Sequence, residues 1–230
     1  MHFELLQDVD LDRSSPARRF ERDVLDVLER AHRAVGDGLG IRPEKRIQVR
    51  VYDPALFDGQ FRQFFAFRAA GFYNGVVHVR GATQIDQQLV RTLTHEYVHA
   101  AIGAEAGPGL FPAWLNEGLA EYFENRALGK RYLSPGERGV LRRLALDDTW
   151  IPLSRLSGPS LTHMVDSRAA QAYLQSYGMI DYLVRTGGTA KLERLCEQLV
   201  RSRSVRRALD RSFGASAAEL EQAFRAELAR

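Results

Sequence analysis

A single cysteine, Cys196, among 230 residues leaves this chain without an intramolecular disulfide and without a cysteine-built metal site. Its neighbours Leu192, Leu195 and Leu199 suit a buried structural thiol rather than a nucleophile. Long hydrophobic runs are missing too. Met1-His2-Phe3-Glu4 is neither basic nor followed by an extended apolar segment, so neither a signal peptide nor a membrane segment is expected in this chain. It reads as a soluble domain and, because it starts directly on a strand-like stretch, as one excised from a longer protein. Charge of one sign is scarce. A formal net charge of +3 is too small for the length to point to nucleic acid, and Arg201, Arg203, Arg206 and Arg207 read as a solvated helix face. Repeats and low-complexity tracts are absent. With 45% hydrophobic and 27% charged residues, the composition is that of a globular protein able to bury a sizeable core.

What the chain does contain is concentrated between Thr92 and Glu124. His95-Glu96-Tyr97-Val98-His99 places two imidazoles four residues apart, hence on one face of a helix, with Glu96 one step round. Leu89, Val90, Leu93, Tyr97, Ala100 and Ala101 mark that helix as buried, and buried polar groups need partners. A zinc ion would satisfy both histidines, with the carboxylate beside the water it activates; a pair of hydrogen-bonded core histidines is the plainer alternative. Zinc bound for hydrolysis takes three protein ligands and keeps one position open. Glu117 is the candidate third ligand, eighteen positions after His99. The interval has room for a helix end near Gly103, a turn through Gly107-Pro108-Gly109 and a second helix from about Pro112. Glu121, one turn beyond Glu117, is placed to accept the free ring N–H of a ligating histidine.

His95-Glu96-x-x-His99 followed by Trp114-Leu115-Asn116-Glu117-Gly118-x-Ala120 resembles the gluzincin metallopeptidases, the clan of thermolysin and the aminopeptidase-N family, and most closely the bacterial peptidase-MA-like domains. The resemblance implies one Zn2+ held by His95, His99 and Glu117, Glu96 as general base, and a peptide or protein substrate. Asn116 and Glu121 would then support the ligands from behind. It further implies an oxyanion donor from the helical part, for which Tyr173 stands in the matching position, with Tyr177 one turn on as the alternative. Gly71, Phe72 and Tyr73 would form the sheet edge along which substrate lies. The interval between His99 and Glu117 is about a residue shorter than in aminopeptidases, a difference that falls in the connecting loop. No Gly-Ala-Met-Glu-Asn-like segment is present to hold a substrate amino terminus, so endopeptidase and aminopeptidase both stay open. A catalytically silent zincin-fold domain that binds peptides or acts as a scaffold is the second reading, against which the presence of Glu96 counts.

The rest of the chain predicts an α+β, thermolysin-like zincin fold: a small mixed sheet with the active-site helices, followed by a mostly helical part. Phe3 to Gln7 and Ile47 to Tyr52 alternate as strands, and the helix between them, Pro16 to about Val35, is expected to end at Gly36, Gly38 and Gly40. Asn74-Gly75 is a hairpin signal. Ser134-Pro135-Gly136-Glu137 opens a further helix, and helices over about 168–186, 190–201, 205–212 and 217–228 complete the chain. His163 has no spacing that ties it to the site. Residues 1–130 are expected to carry the sheet and both ligand helices and 131–230 to close the cleft, the two forming one catalytic unit.

Overall fold

Ile47-Gln48-Val49-Arg50-Val51-Tyr52 alternates buried and less buried side chains along a strand, as its period of two requires. In the computed structural model, which describes residues 1–230 except 1, 9–14, 66–68, 82–83, 148, 162–163 and 165, this strand is β2 (Ile47–Tyr52). Most of the turn expected after Asp8, together with Phe67 and His163, lies outside the described residues. β1 (Phe3–Asp8) pairs parallel with β2, and the crossover between them is α1 (Ser15–Leu39). After β2 come α2 (Pro54–Phe61), a 3₁₀ turn (Arg62–Phe64), β3 (Gly71–Tyr73) and β4 (Val77–Arg80). β4 pairs parallel with β2 and antiparallel with β3, so the four-stranded sheet has the order β1-β2-β4-β3 and β3 is an edge. Asn74-Gly75 forms the turn between β3 and β4, with Gly75 at φ 107°.

The helices are α3 (Gln87–Ala106), α4 (Ala113–Ala127), α5 (Pro135–Leu146), α6 (Asp166–Ser202), α7 (Val205–Phe213) and α8 (Ala217–Ala229). The architecture is therefore the expected α+β one, mostly helical beside a small mixed sheet. α6 consists of two helical runs that meet at Gly188, the only residue inside it with non-helical angles. Ser134 and Glu137 form the reciprocal cap at the start of α5.

α1 runs longer than its glycines predicted, to Leu39, and stops at Gly40. The reason is tertiary. A Cβ on Gly38 would stand 2.9 Å from the Phe123 ring, so the missing side chain lets α4 pack against the helix rather than ending it. One continuous hydrophobic core joins α1, the inner face of the sheet, α3, α4, α6 and α8.

Two features fix α3 and α4 relative to the rest. On the far face of α3, Tyr97 is fully buried and its hydroxyl lies 2.8 Å from His32 Nδ1 of α1, with His2 stacked on the His32 ring at 3.8 Å. At the start of α4, where helical N–H groups lack partners within the helix, Ala113 and Trp114 donate to the carbonyls of Gly158 and Leu156, each at 2.9 Å. That loop is thereby drawn to the mouth of the site.

Candidate metal centre

Asp86 caps α3, its side chain accepting from Leu89 N at 2.7 Å, and the helix then carries His95 and His99 on one face with ring centroids 4.8 Å apart. α4 lies across α3 and presents Glu117 to both. Glu117 Oε2 stands 3.4 Å from His95 Nε2 and 3.3 Å from His99 Nε2. These approaches are not hydrogen bonds: Glu117 Oε2 is a buried oxygen with no hydrogen-bond partner among the described residues. With both Nε2 atoms deprotonated, these three atoms would turn lone pairs toward a common point.

The spacing provides a test of fit. Four-coordinate sites with bonds of about 2.0–2.2 Å to nitrogen and oxygen hold neighbouring ligand atoms roughly 3.3–3.6 Å apart. Both measured separations fall in that range, and two imidazoles with one carboxylate are donors that suit a divalent ion. His95, His99 and Glu117 thus fit a metal ion as they stand.

Charges in the site tell the same story. Burial alone would lower the histidines, yet the carboxylates of Glu117 and Glu124 hold His95 well above its ordinary value, and Glu117 holds His99 above its own. Burial alone would raise Glu117, yet His99 and His95 hold it far below the usual carboxylate range. Burial pushes Glu96 up, with the two histidines partly opposing it. The acids of the site call for positive charge, and without a metal the imidazoles supply it by keeping protons.

The group that orients His95 is Glu124, not Glu121. His95 Nδ1 donates to Glu124 Oε2 at 3.0 Å, and Arg91 holds the other oxygen through Nε at 2.9 Å and through Nη2. Residues 117, 121 and 124 all fall on one stripe of α4, so Glu124 was as visible in the sequence as Glu121. What selects it is the crossing of α3 over α4, which sets Nδ1 opposite the turn after Glu121, and the arginine one turn before His95. Glu121 lies close by, with a carboxylate oxygen within 4.8 Å of a His95 ring nitrogen and of Glu124, but among the described residues its carboxylate makes no hydrogen bond or ion pair. Its pKa is pushed up to about 7 by burial and by the charge of Glu124. Asn116 lines the same cavity, and its Oδ1 is buried without a partner among the described residues; no hydrogen bond ties it to a ligand.

The site opens into a cavity of about 860 Å³ lined by Glu96, Glu121, Asn116, Tyr173 and the whole of β3. Gly71 is what allows β3 so close. A Cβ there would lie 2.9 Å from Glu96 Cγ and 2.7 Å from Thr92 Cγ2. Of the two tyrosines singled out in the sequence, Tyr173 faces this cavity, and burial with the charges of Glu117 and Glu96 raises its pKa. Tyr177 does not line it; its ring is buried and carries Lys130 Nζ 4.9 Å from the centroid. Tyr173 is brought over the site by a second close approach, for a Cβ on Gly118 would lie 2.5 Å from the backbone oxygen of Ser176 in α6.

A small mixed sheet with an open edge, two crossed helices and a His-His-Glu donor set between them define the class: an α+β domain with a candidate metal centre. The family model described as Peptidase MA superfamily matches residues 37–230, and the chain belongs to that superfamily. No curated protein matches the chain. Among the described residues, no helix is long and apolar enough to cross a membrane.

Proposed function

We propose that this domain is a zinc-dependent metallopeptidase that hydrolyses peptide bonds, with His95, His99 and Glu117 holding the ion. The observation that carries the reading is the convergence of Glu117 Oε2 and the two Nε2 atoms at 3.3 and 3.4 Å, with the buried carboxylate of Glu96 in the same cavity. When bound, zinc acidifies water and polarises a carbonyl oxygen.

The chain's own groups have distinct tasks. Glu96, whose pKa burial raises, takes a proton from the attacking water and passes it to the leaving amine. A positioned base of this kind is worth on the order of 10² to 10⁴ in rate. Tyr173 keeps its proton at any working pH and so serves as a hydrogen-bond donor to the oxygen that gains negative charge. β3, as a sheet edge, offers backbone N–H and C=O groups to an extended substrate. Glu124 keeps the His95 proton on Nδ1, which leaves Nε2 its lone pair.

The experiment pairs metal analysis with cleavage of a peptide library. The wild type should carry about one zinc per chain and cleave peptides, and chelation should abolish cleavage. Glu96→Gln should keep the metal and lose turnover. A metal-loaded wild type that cleaves nothing would leave a silent peptide-binding domain.

A further inference from the structure

The cleft is polarised along its length. β3 runs beside α3 from Thr92, which its Gly71 nearly touches, to Gly103, where a Cβ would meet the Tyr73 ring at 2.8 Å. Beyond His99 the described lining residues are uncharged, with Tyr73, Ile102, Gly107 and Phe111. Beyond His95 it carries Arg91, Glu121 and Glu124.

The charges at that end do not balance. Among the described residues that line the cavity, four carboxylates, Glu96, Glu117, Glu121 and Glu124, face one guanidinium, Arg91. Arg91 is already committed to Glu124, and Glu124 to His95. A divalent ion would offset Glu117 and Glu96, and one carboxylate would still stand unmatched. Geometry identifies it as Glu121, whose carboxylate makes no hydrogen bond or ion pair among the described residues although one of its oxygens lies within 4.8 Å of a His95 ring nitrogen and of a Glu124 oxygen. A carboxylate held in a half-buried cleft without a cation favours a ligand that brings one.

We propose that Glu121 makes the Gly71 end of the cleft a subsite for a cationic nitrogen of the substrate, either a lysine or arginine side chain or a free amino terminus, while the far end takes uncharged residues. The inference rests on the peptidase reading and names its substrate class. It also gives the cleft a direction, because only one side of the scissile bond would carry the positive charge.

The test is a cleavage profile read by mass spectrometry, with zinc-loaded protein and a mixture of blocked peptides that present every residue type around the bond. Lysine and arginine should exceed norleucine on one side of the cleaved bond by about tenfold or more. In Glu121→Gln that ratio should fall toward one. A parallel mixture with free amino termini separates the two sources: preference for the first bond assigns the α-ammonium, and preference tied to lysine or arginine assigns the side chain. Equal cleavage of lysine and norleucine peptides by active wild type, with no preference for the first bond of the free-amino peptides, overturns the subsite and leaves the peptidase. Calorimetry covers the other failure. Blocked alanine hexapeptides carrying one lysine or one norleucine are titrated into zinc-loaded Glu96→Gln, with and without Glu121→Gln. An alanine hexapeptide with a free amino terminus is titrated beside them; a preference for lysine or for the free amino terminus that is lost in the double variant supports the subsite even without turnover, and equal Kd values for all three peptides overturn it.

Discussion

His95 Nδ1 donates to Glu124 Oε2 at 3.0 Å, and the same carboxylate is gripped from behind by Arg91. A ligating imidazole must keep one orientation and one tautomer, and a carboxylate on its remote nitrogen provides both. Glu124→Gln should therefore weaken zinc binding about ten- to a hundredfold. Glu121→Gln should change it by less than about fivefold, since Glu121 makes no such bond. Competition titrations against a chelating dye measure both, and equal losses would contradict the assignment.

Tyr173 and Tyr177 are one helical turn apart, but only Tyr173 faces the cavity. Tyr173→Phe should lower kcat by about 10² to 10³ with zinc content unchanged, the size expected for one lost oxyanion donor. Tyr177→Phe should keep its turnover. Steady-state kinetics of the two variants on one peptide make the comparison, and the reverse order would reassign the donor.

Gly118 touches the backbone of α6, where an added methyl group would stand 2.5 Å from Ser176 O and 2.8 Å from Ile180 Cγ1. Backbone cannot step aside as a side chain can. Gly118→Ala should destabilise the fold by about 1–3 kcal/mol and disturb Glu117 and Tyr173 together. Thermal unfolding gives the first effect, and zinc affinity together with kcat gives the second.

Without metal, stability should fall as pH rises from about 4.5 to 7, the interval between the ordinary value of Glu121 and its folded one. Burial raises Glu121 and Glu96, and the neighbouring carboxylates raise His95 and His99 against burial. Each such group binds its proton more tightly folded than unfolded. Its stabilising contribution is complete below the unfolded pKa and is lost as pH climbs through the folded one. Glu121→Gln, which mimics the protonated acid, should flatten the decline. Thermal melts in chelator across this range provide the measurement. Zinc affinity should rise over the same interval, because the imidazoles must release protons to bind.

How much of this was legible in the sequence depended on the range of the interactions. His95 and His99 follow from helix spacing alone, and Glu117 from the need for a third ligand within a loop's reach. The capping box of α5 and the turn at Asn74-Gly75 are equally local. The partner of His95 was not legible, because Glu121 and Glu124 share a stripe of α4 and the choice between them belongs to the crossing of two helices. The length of α1 is hidden for a similar reason: Gly36 and Gly38 lie inside the helix, and the ring that the bare Gly38 admits, that of Phe123, comes from a distant element. The polarity of the cleft needed the course of β3 along α3, which no spacing encodes.

The hydrogen bond between Tyr97 and His32 bears on where the folding unit begins. Family similarity starts at residue 37, but His32, the buried face of α1 and the strand alongside β2 all precede it. A fragment trimmed to residues 37–230 would strip one edge from the sheet and leave the rear of the histidine-bearing helix facing water. The segment ahead of the matched region is thus a buttress for the helix that carries His95 and His99.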